Sequence, residues 1–239
     1  MSVQTLLPTA AGVGDGTSSA QLGRTDGYYG SVVESVFNRD LWSAAEASRY
    51  VAVNPTAGTG ILGHAAPTTF DETKPFLYIY NGGSRTIYPV TIRLTDTVVS
   101  VGGTRIQFTQ TLDQGNKFSS GGTALTKAST NGASTQTSGA TLTAGAVLVA
   151  AATSNRRLLG NTLIKGANID VVWDQIEFVF GTTGGSTGGM LTPTTVAQWY
   201  SAPLAAVAIS PGWGWGLYQW AASQSTGPTY EVVVDYIER

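Results

Sequence analysis

Charged residues and cysteine are the scarcest features of this sequence. Only 12% of the 239 residues are charged, against about 25% in an ordinary soluble domain. Cysteine is absent, which excludes a scaffold held together by disulfides. The net charge is only −2. An electrostatic nucleic-acid binder needs a clustered surplus of Lys and Arg, so that class is excluded as well.

Long apolar runs are also missing. The best candidate, residues 144–152, is far shorter than the roughly 18 residues that a membrane-spanning helix needs. The N-terminus, Met1 to Gln4, lacks the basic start and the apolar stretch of a secretory signal peptide. We therefore expect synthesis in a cytoplasm and no membrane partner.

Residues suited to catalysis or metal binding are few. The single histidine, His64, lies in a turn-like segment, and there is neither a cysteine nucleophile nor a Gly-x-Ser-x-Gly elbow. Zinc sites, calcium loops and phosphate loops need residue patterns that do not occur here. Asp170 and Asp174 share a face of a strand-like segment while Glu177 faces the other way, which is simpler as solvent-side polarity than as an acid–base pair. We expect no enzyme activity, no cofactor and no metal.

Short β-like segments separated by turns are abundant. In one of them, residues 104–112, Ile106 and Phe108 point one way and the polar residues point the other, which is the period of a half-buried strand. Pro89 is expected to place its segment at a sheet edge or to delay the start of its strand. The segments predicted as strands are residues 76–80, 86–100, 104–112, 144–151, 157–164, 169–180, 199–209, 212–216 and 230–237.

Many short strands and almost no amphipathic helix predict an all-β protein. The expected fold is a β-sandwich or jelly-roll-like domain with long Gly/Ser/Thr-rich loops and an extended N-terminal arm. Residues 1–26 form the arm in this prediction, because they hold few large apolar side chains. Residues 27–239 form a single β-sandwich-like domain. Within it, the low-complexity tract 119–141 is expected to be a long excursion or loop, and residues 181–189 a second loop.

Aromatic residues are concentrated where charge is absent. Residues 178–230 contain no Asp, Glu, Lys or Arg. Interface cores are depleted in charge and enriched in aromatic residues, so this stretch predicts contact with another copy or another protein. The rings can instead fill the core of the chain itself, and Trp213 and Trp215, which alternation places on one face, can also stack on a sugar. The candidate interface residues are Trp199, Tyr200, Trp213, Trp215, Tyr218 and Trp220.

Several short stretches together carry a resemblance to a known class. They are Gly27-Tyr28-Tyr29-Gly30 with Glu34 and Phe37, Val53-Asn54-Pro55-Thr56-Ala57-Gly58, Leu77-Tyr78-Ile79-Tyr80-Asn81, residues 155–164 and the terminal strand. In these stretches and their order, the chain resembles small structural proteins of tailed-bacteriophage virions, especially those that decorate or cement the head.

The resemblance implies a β-sandwich present in many copies, often as a homotrimer, bound to a capsid or other virion protein. The expected location is the virion, after synthesis in the host cytoplasm. Two alternatives stay open at this point. One is a tail-fibre or receptor-binding protein that contacts host glycan, and the other is a jelly-roll coat protein that assembles shells by itself.

Overall fold

The structure is a computed structural model that describes residues 43–65, 69–98, 106–151, 157–165, 171–181, 197–221 and 224–239. The predicted arm, residues 1–26, and nearly all of the predicted loop 181–189 lie outside the described residues. Residues 47–239 form one compact unit, and the fold described below belongs to that unit.

The named elements of the described chain are all strands. They are β1 (Arg49–Val53), β2 (Ile61–Leu62), β3 (Leu77–Asn81), β4 (Ile87–Val98), β5 (Ile106–Gln114), β6 (Phe118–Ala124), β7 (Thr126–Ser129), β8 (Ala140–Val149), β9 (Arg157–Lys165), β10 (Gln175–Phe180), β11 (Trp199–Leu204), β12 (Trp213–Trp220) and β13 (Thr229–Glu238).

The strands form two sheets that pack against each other. Sheet A has the order β11-β10-β4-β13-β1-β7, with β2 beside β13, and sheet B has the order β6-β8-β3-β12-β5-β9. Eight of these strands are β1-β13-β4-β10 in sheet A and β3-β12-β5-β9 in sheet B. Taken in chain order, these eight strands alternate between the two sheets, except that β5 and β9 lie in the same sheet. That is the strand order of a jelly roll. The prediction of an all-β, jelly-roll-like sandwich is confirmed.

The core lies between the sheets and is filled by alternate residues of each strand. Phe108 of sheet B meets Phe178 of sheet A edge to face, with the ring centroids 5.2 Å apart. Trp215 of sheet B meets Phe180 of sheet A in the same way, at 5.8 Å. Edge-to-face pairs add stabilisation beyond the apolar area they bury, so these two contacts tie the sheets together.

Pro89 lies within β4, which is flanked by β10 and β13 and begins before it, at Ile87. The register with β13 shifts between Asp235 and Tyr236, at the point where Tyr236 comes opposite Pro89. A shift of this kind tolerates a residue that has no N–H to donate. The expectation that Pro89 marks a sheet edge or a delayed strand start is therefore wrong.

The expectation that the low-complexity tract 119–141 is a long excursion or loop is wrong for much of the tract, which is strand within the two sheets. β6 pairs with β8 at an edge of sheet B, and β7 pairs with β1 at an edge of sheet A. Nearly all their side chains are exposed, so backbone hydrogen bonds hold them in place. The end of the tract is fixed by the buried Glu238 carboxylate, which accepts hydrogen bonds from the Ser138 hydroxyl and the Gly139 and Ala140 amides.

Candidate interaction surfaces

Trp213 and Trp215 share a face of β12, as the alternation predicts, and that face is the core of the sandwich. Trp215 is fully buried and lies opposite Ile79 of β3 and Leu112 of β5. Trp213 is partly buried and packs against the same core cluster. These two rings therefore follow the own-core alternative, and neither offers a free platform for a sugar.

Gly214 and Gly216, the glycines that follow these two tryptophans, face outward, where tyrosine rings cover them. A Cβ on Gly214 would lie 2.1 Å from the Tyr78 hydroxyl oxygen, and a Cβ on Gly216 would lie 2.8 Å from the Tyr218 ring. Only glycine admits these rings so close to the strand backbone. The Gly-Trp-Gly-Trp-Gly pattern thus results from close packing on both faces of β12.

The chain itself covers much of the outer face of sheet B. The Tyr218 ring meets Phe70 edge to face at 5.1 Å, and its hydroxyl donates a hydrogen bond to the Glu72 carbonyl oxygen at 3.1 Å. The Tyr78 hydroxyl accepts a hydrogen bond from the Lys117 amide at 2.8 Å. Both tyrosines are about as buried as core residues, so neither ring is open to a partner.

Of the remaining predicted interface residues, Tyr200 is buried and Trp220 is half-buried. The Trp220 indole Nε1 donates a hydrogen bond to Thr109 Oγ1 at 3.0 Å. Trp199 alone among the six is highly exposed, at 66%. The interface hypothesis stays a prediction, and Trp199 is the residue of that set whose side chain is most accessible to a partner.

Burial raises the pKa of Tyr78 to about 12 from 10.0, although the amide hydrogen bond from Lys117 acts in the opposite direction. Burial also raises the pKa values of Tyr50 and Tyr236. In all three the neutral phenol is the form that the fold favours. Stability should therefore depend on pH at the alkaline end of the scale.

We expect the free energy of unfolding to fall as the pH rises from about 10 to about 12. Tyrosine in the unfolded chain ionises near pH 10, whereas Tyr78 in the folded chain stays neutral, so stability that is complete below pH 10 is lost across this window. The two-unit difference corresponds to roughly 3 kcal/mol. Urea unfolding at several alkaline pH values should show a smaller loss for Tyr78→Phe than for the natural chain. Exposed Tyr88→Phe should match the natural chain, and equal losses in all three chains would contradict the effect.

Among the described residues, the outer face of sheet A, in contrast, leaves part of its apolar surface open. Three outward valines lie next to each other on it and are named here the valine strip: Val51 and Val53 of β1, and Val233 of β13, which is opposite Val53. Val53 is 38% exposed, and the other two are half-buried. Tyr88, further along the same face on β4, is 41% exposed.

Two ion pairs lie beside the valine strip. The Arg49 guanidinium donates two hydrogen bonds to the Asp235 carboxylate, one of them from Nε at 2.9 Å. Arg93 Nε lies 3.9 Å from the Glu177 carboxylate. Glu231 has no such cation beside it here, but its carboxylate accepts a backbone hydrogen bond. The open face is therefore close to neutral.

Two exposed tryptophans lie at one corner of sheet A. Trp199, the first residue of β11, lies opposite Gln175 of β10. Trp173 precedes Gln175 by two residues and is 60% exposed. Its backbone φ is +77°, a left-handed value that a bulky side chain rarely adopts. Trp173 was not among the predicted interface residues.

A buried carboxylate holds the turn that presents Trp173. Asp174 is 5% exposed, and its side chain accepts hydrogen bonds from the Val171 amide at 3.1 Å and from the Gln198 amide at 2.8 Å. The predicted strand over residues 169–180 is therefore wrong at residues 171–174, which form a turn. The expectation that Asp174 faces solvent is wrong for the same reason, while Asp170 lies outside the described residues.

The remaining chemistry-bearing groups show structural contacts. His64 Nε2 donates a hydrogen bond to the Val147 carbonyl oxygen at 2.7 Å, which is a structural contact with the backbone. No group of three or more His, Cys, Asp or Glu residues in the described part of the chain could hold a metal ion. The described residues also include no helix of the length and apolarity that a membrane span requires.

Comparisons with protein-family models, with curated proteins and with solved structures give no match to this chain. The fold class is a jelly-roll sandwich, and these comparisons supply no activity for it. Function must be inferred from the open face of sheet A and its tryptophan corner, since fold alone does not determine function.

Proposed function

We propose that this chain is a non-enzymatic structural protein of a tailed-phage virion. In this proposal it decorates or cements the head, associating with copies of itself as a homotrimer and with a capsid protein. The single observation that carries the proposal is the open, nearly neutral outer face of sheet A with its valine strip.

Two features make this face suited to a protein partner. Four of its five neighbouring charges form ion pairs within the chain, and the fifth, Glu231, accepts a backbone hydrogen bond, so a partner need supply few counter-charges when it excludes water. The valine side chains stand on β1 and β13, an antiparallel pair within a broad sheet, which presents them in fixed positions before contact. Subunit interfaces combine this kind of charge-poor apolar centre with a polar rim.

Each copy needs only a modest contact area in this account. A decoration protein binds a lattice that repeats the same site many times, and linked copies in an oligomer raise the effective concentration of each further contact. Only 12% of the residues are charged, which is consistent with such binding, because little of the attraction then comes from long-range electrostatics.

We expect binding to heads to depend only weakly on salt. Between roughly 50 and 200 mM salt the apparent affinity should change by less than about threefold, because apolar contact and paired charges are not screened in the way that free opposite charges are. The measurement is co-sedimentation of the purified chain with heads of the phage that encodes it, after the bound copies have been stripped. A tenfold loss over that range would contradict the proposal.

The jelly-roll strand order favours a second candidate, a coat protein that assembles without a separate lattice. Electron microscopy of the concentrated, purified chain separates the two. Closed shells formed by this chain alone would support the coat protein, whereas a discrete homotrimer that binds only to pre-formed heads would support decoration.

A further inference from the structure

We propose that Trp173 and Trp199 form a binding site for an uncharged glycan at the corner of sheet A. The two indoles are among the most exposed large apolar side chains of the described residues, at 60% and 66%. The site does not include the valine strip, which lies on β1 and β13, so it is independent of the proposed function.

The backbone places the two indoles close to each other. Trp199 is opposite Gln175, and Trp173 lies two residues before Gln175. Residues two apart have Cα atoms less than about 8 Å apart, and paired strands are about 5 Å apart, so the two Cα atoms are within roughly 12 Å of each other. Within the described part of the chain neither ring packs on another aromatic ring, so both keep a free face. A platform of this size fits one or two pyranose rings.

The turn is fixed before any ligand arrives. A left-handed backbone at a tryptophan is costly, and such residues persist where their surroundings hold them and where they serve binding. Here the Asp174 carboxylate binds the Val171 amide on one side and the Gln198 amide on the other. One buried side chain thus ties the turn with Trp173 to the start of β11 with Trp199. A platform held in this way loses little entropy on binding.

The neighbours of the indoles indicate the class of ligand. Gln175 lies beside Trp199, and Thr95 lies opposite Gln175 on the next strand. An amide and a hydroxyl offer both donors and acceptors to sugar hydroxyl groups, while the indole faces take the apolar face of the ring.

The charge and polarity of these neighbours favour an uncharged sugar over other partners. The nearest ion pair among the described residues, Arg93 with Glu177, is internally balanced, so it does not favour an acidic sugar or a phosphate. A protein hot spot is normally surrounded by contacts that exclude water, whereas these tryptophans have polar neighbours across the strands. The observations therefore favour a glycan over a protein at this corner.

The test is a calorimetric titration of the full chain with uncharged hexasaccharides of glucose, galactose, mannose and N-acetylglucosamine. At least one should bind, and Trp199→Ala should weaken that affinity by at least about tenfold, with Trp199→Tyr retaining most of it. Phe118→Ala removes another exposed aromatic ring, on β6, and should leave the affinity unchanged. Circular dichroism of each variant checks that the fold is intact.

Three results would overturn the proposal. They are no binding of any of these sugars at about 10 mM, binding only of sialylated or phosphorylated glycans, and binding that Trp199→Ala does not weaken. Failure here is distinguishable from failure of the proposed function, because Trp199→Ala should still bind heads. Loss of head binding in Trp199→Ala would assign the corner to a protein partner instead.

Discussion

Trp215→Ala should lower the free energy of unfolding by about 3–5 kcal/mol. Trp215 is fully buried in the middle of sheet B and meets Phe180 of the opposite sheet, so its removal leaves a cavity between the sheets. Both the lost burial and the unfilled space contribute to that value. The measurement is urea unfolding followed by far-ultraviolet circular dichroism.

The matched control is Trp199→Ala, which removes the same side chain from an exposed position. Its effect on the free energy of unfolding should stay within about 0.5 kcal/mol. If Trp215→Ala kept the stability of the natural chain and lost only its association with partners, the position of Trp215 in the core would be contradicted.

The strands were predictable from local alternation. Residues 104–112 and 230–237 overlap most of β5 and β13, because each strand buries one face and the apolar residues recur at every second position. The strand order was not predictable, since the pairing of β1 with β13 joins the two ends of the domain. Only the packing of the whole chain selects that pair.

The charge-free stretch 178–230 shows where composition is ambiguous. Its aromatic residues were predicted at an interface, and the structure buries Tyr200, Trp215 and Tyr218 within the chain. A core and an interface both exclude charge, so composition alone does not separate them. The glycines of β12 were the better signal, because Gly214 and Gly216 make room for covering rings on the outer face.

Trp173 was missed because alternation continued the predicted strand through it. The turn depends on hydrogen bonds that the Asp174 carboxylate accepts from the Val171 and Gln198 amides, and the second of these joins residues far apart in sequence. An aspartate within an apolar run is compatible with a solvent-facing strand position as well as with such a turn. Only tertiary contact decides between them.

Val53→Lys should weaken binding to heads by at least about tenfold. The substitution places a positive charge in the valine strip, and a protein that covers the strip would have to bury it. The effect on folding should be small, about 1 kcal/mol or less, because Val53 is partly exposed and lysine is only moderately disfavoured in strands. Co-sedimentation with stripped heads gives the affinity.

The most direct test of the proposed association surface compares Val53→Lys with Leu148→Lys in that co-sedimentation assay. Leu148 is a matched control because it is also 38% exposed and also lies in a strand, β8 of sheet B. The account predicts that Val53→Lys loses at least about tenfold in affinity while Leu148→Lys binds as the natural chain does. Equal binding by all three chains, or a loss confined to Leu148→Lys, would contradict the assignment of the outer face of sheet A as the surface that binds the head.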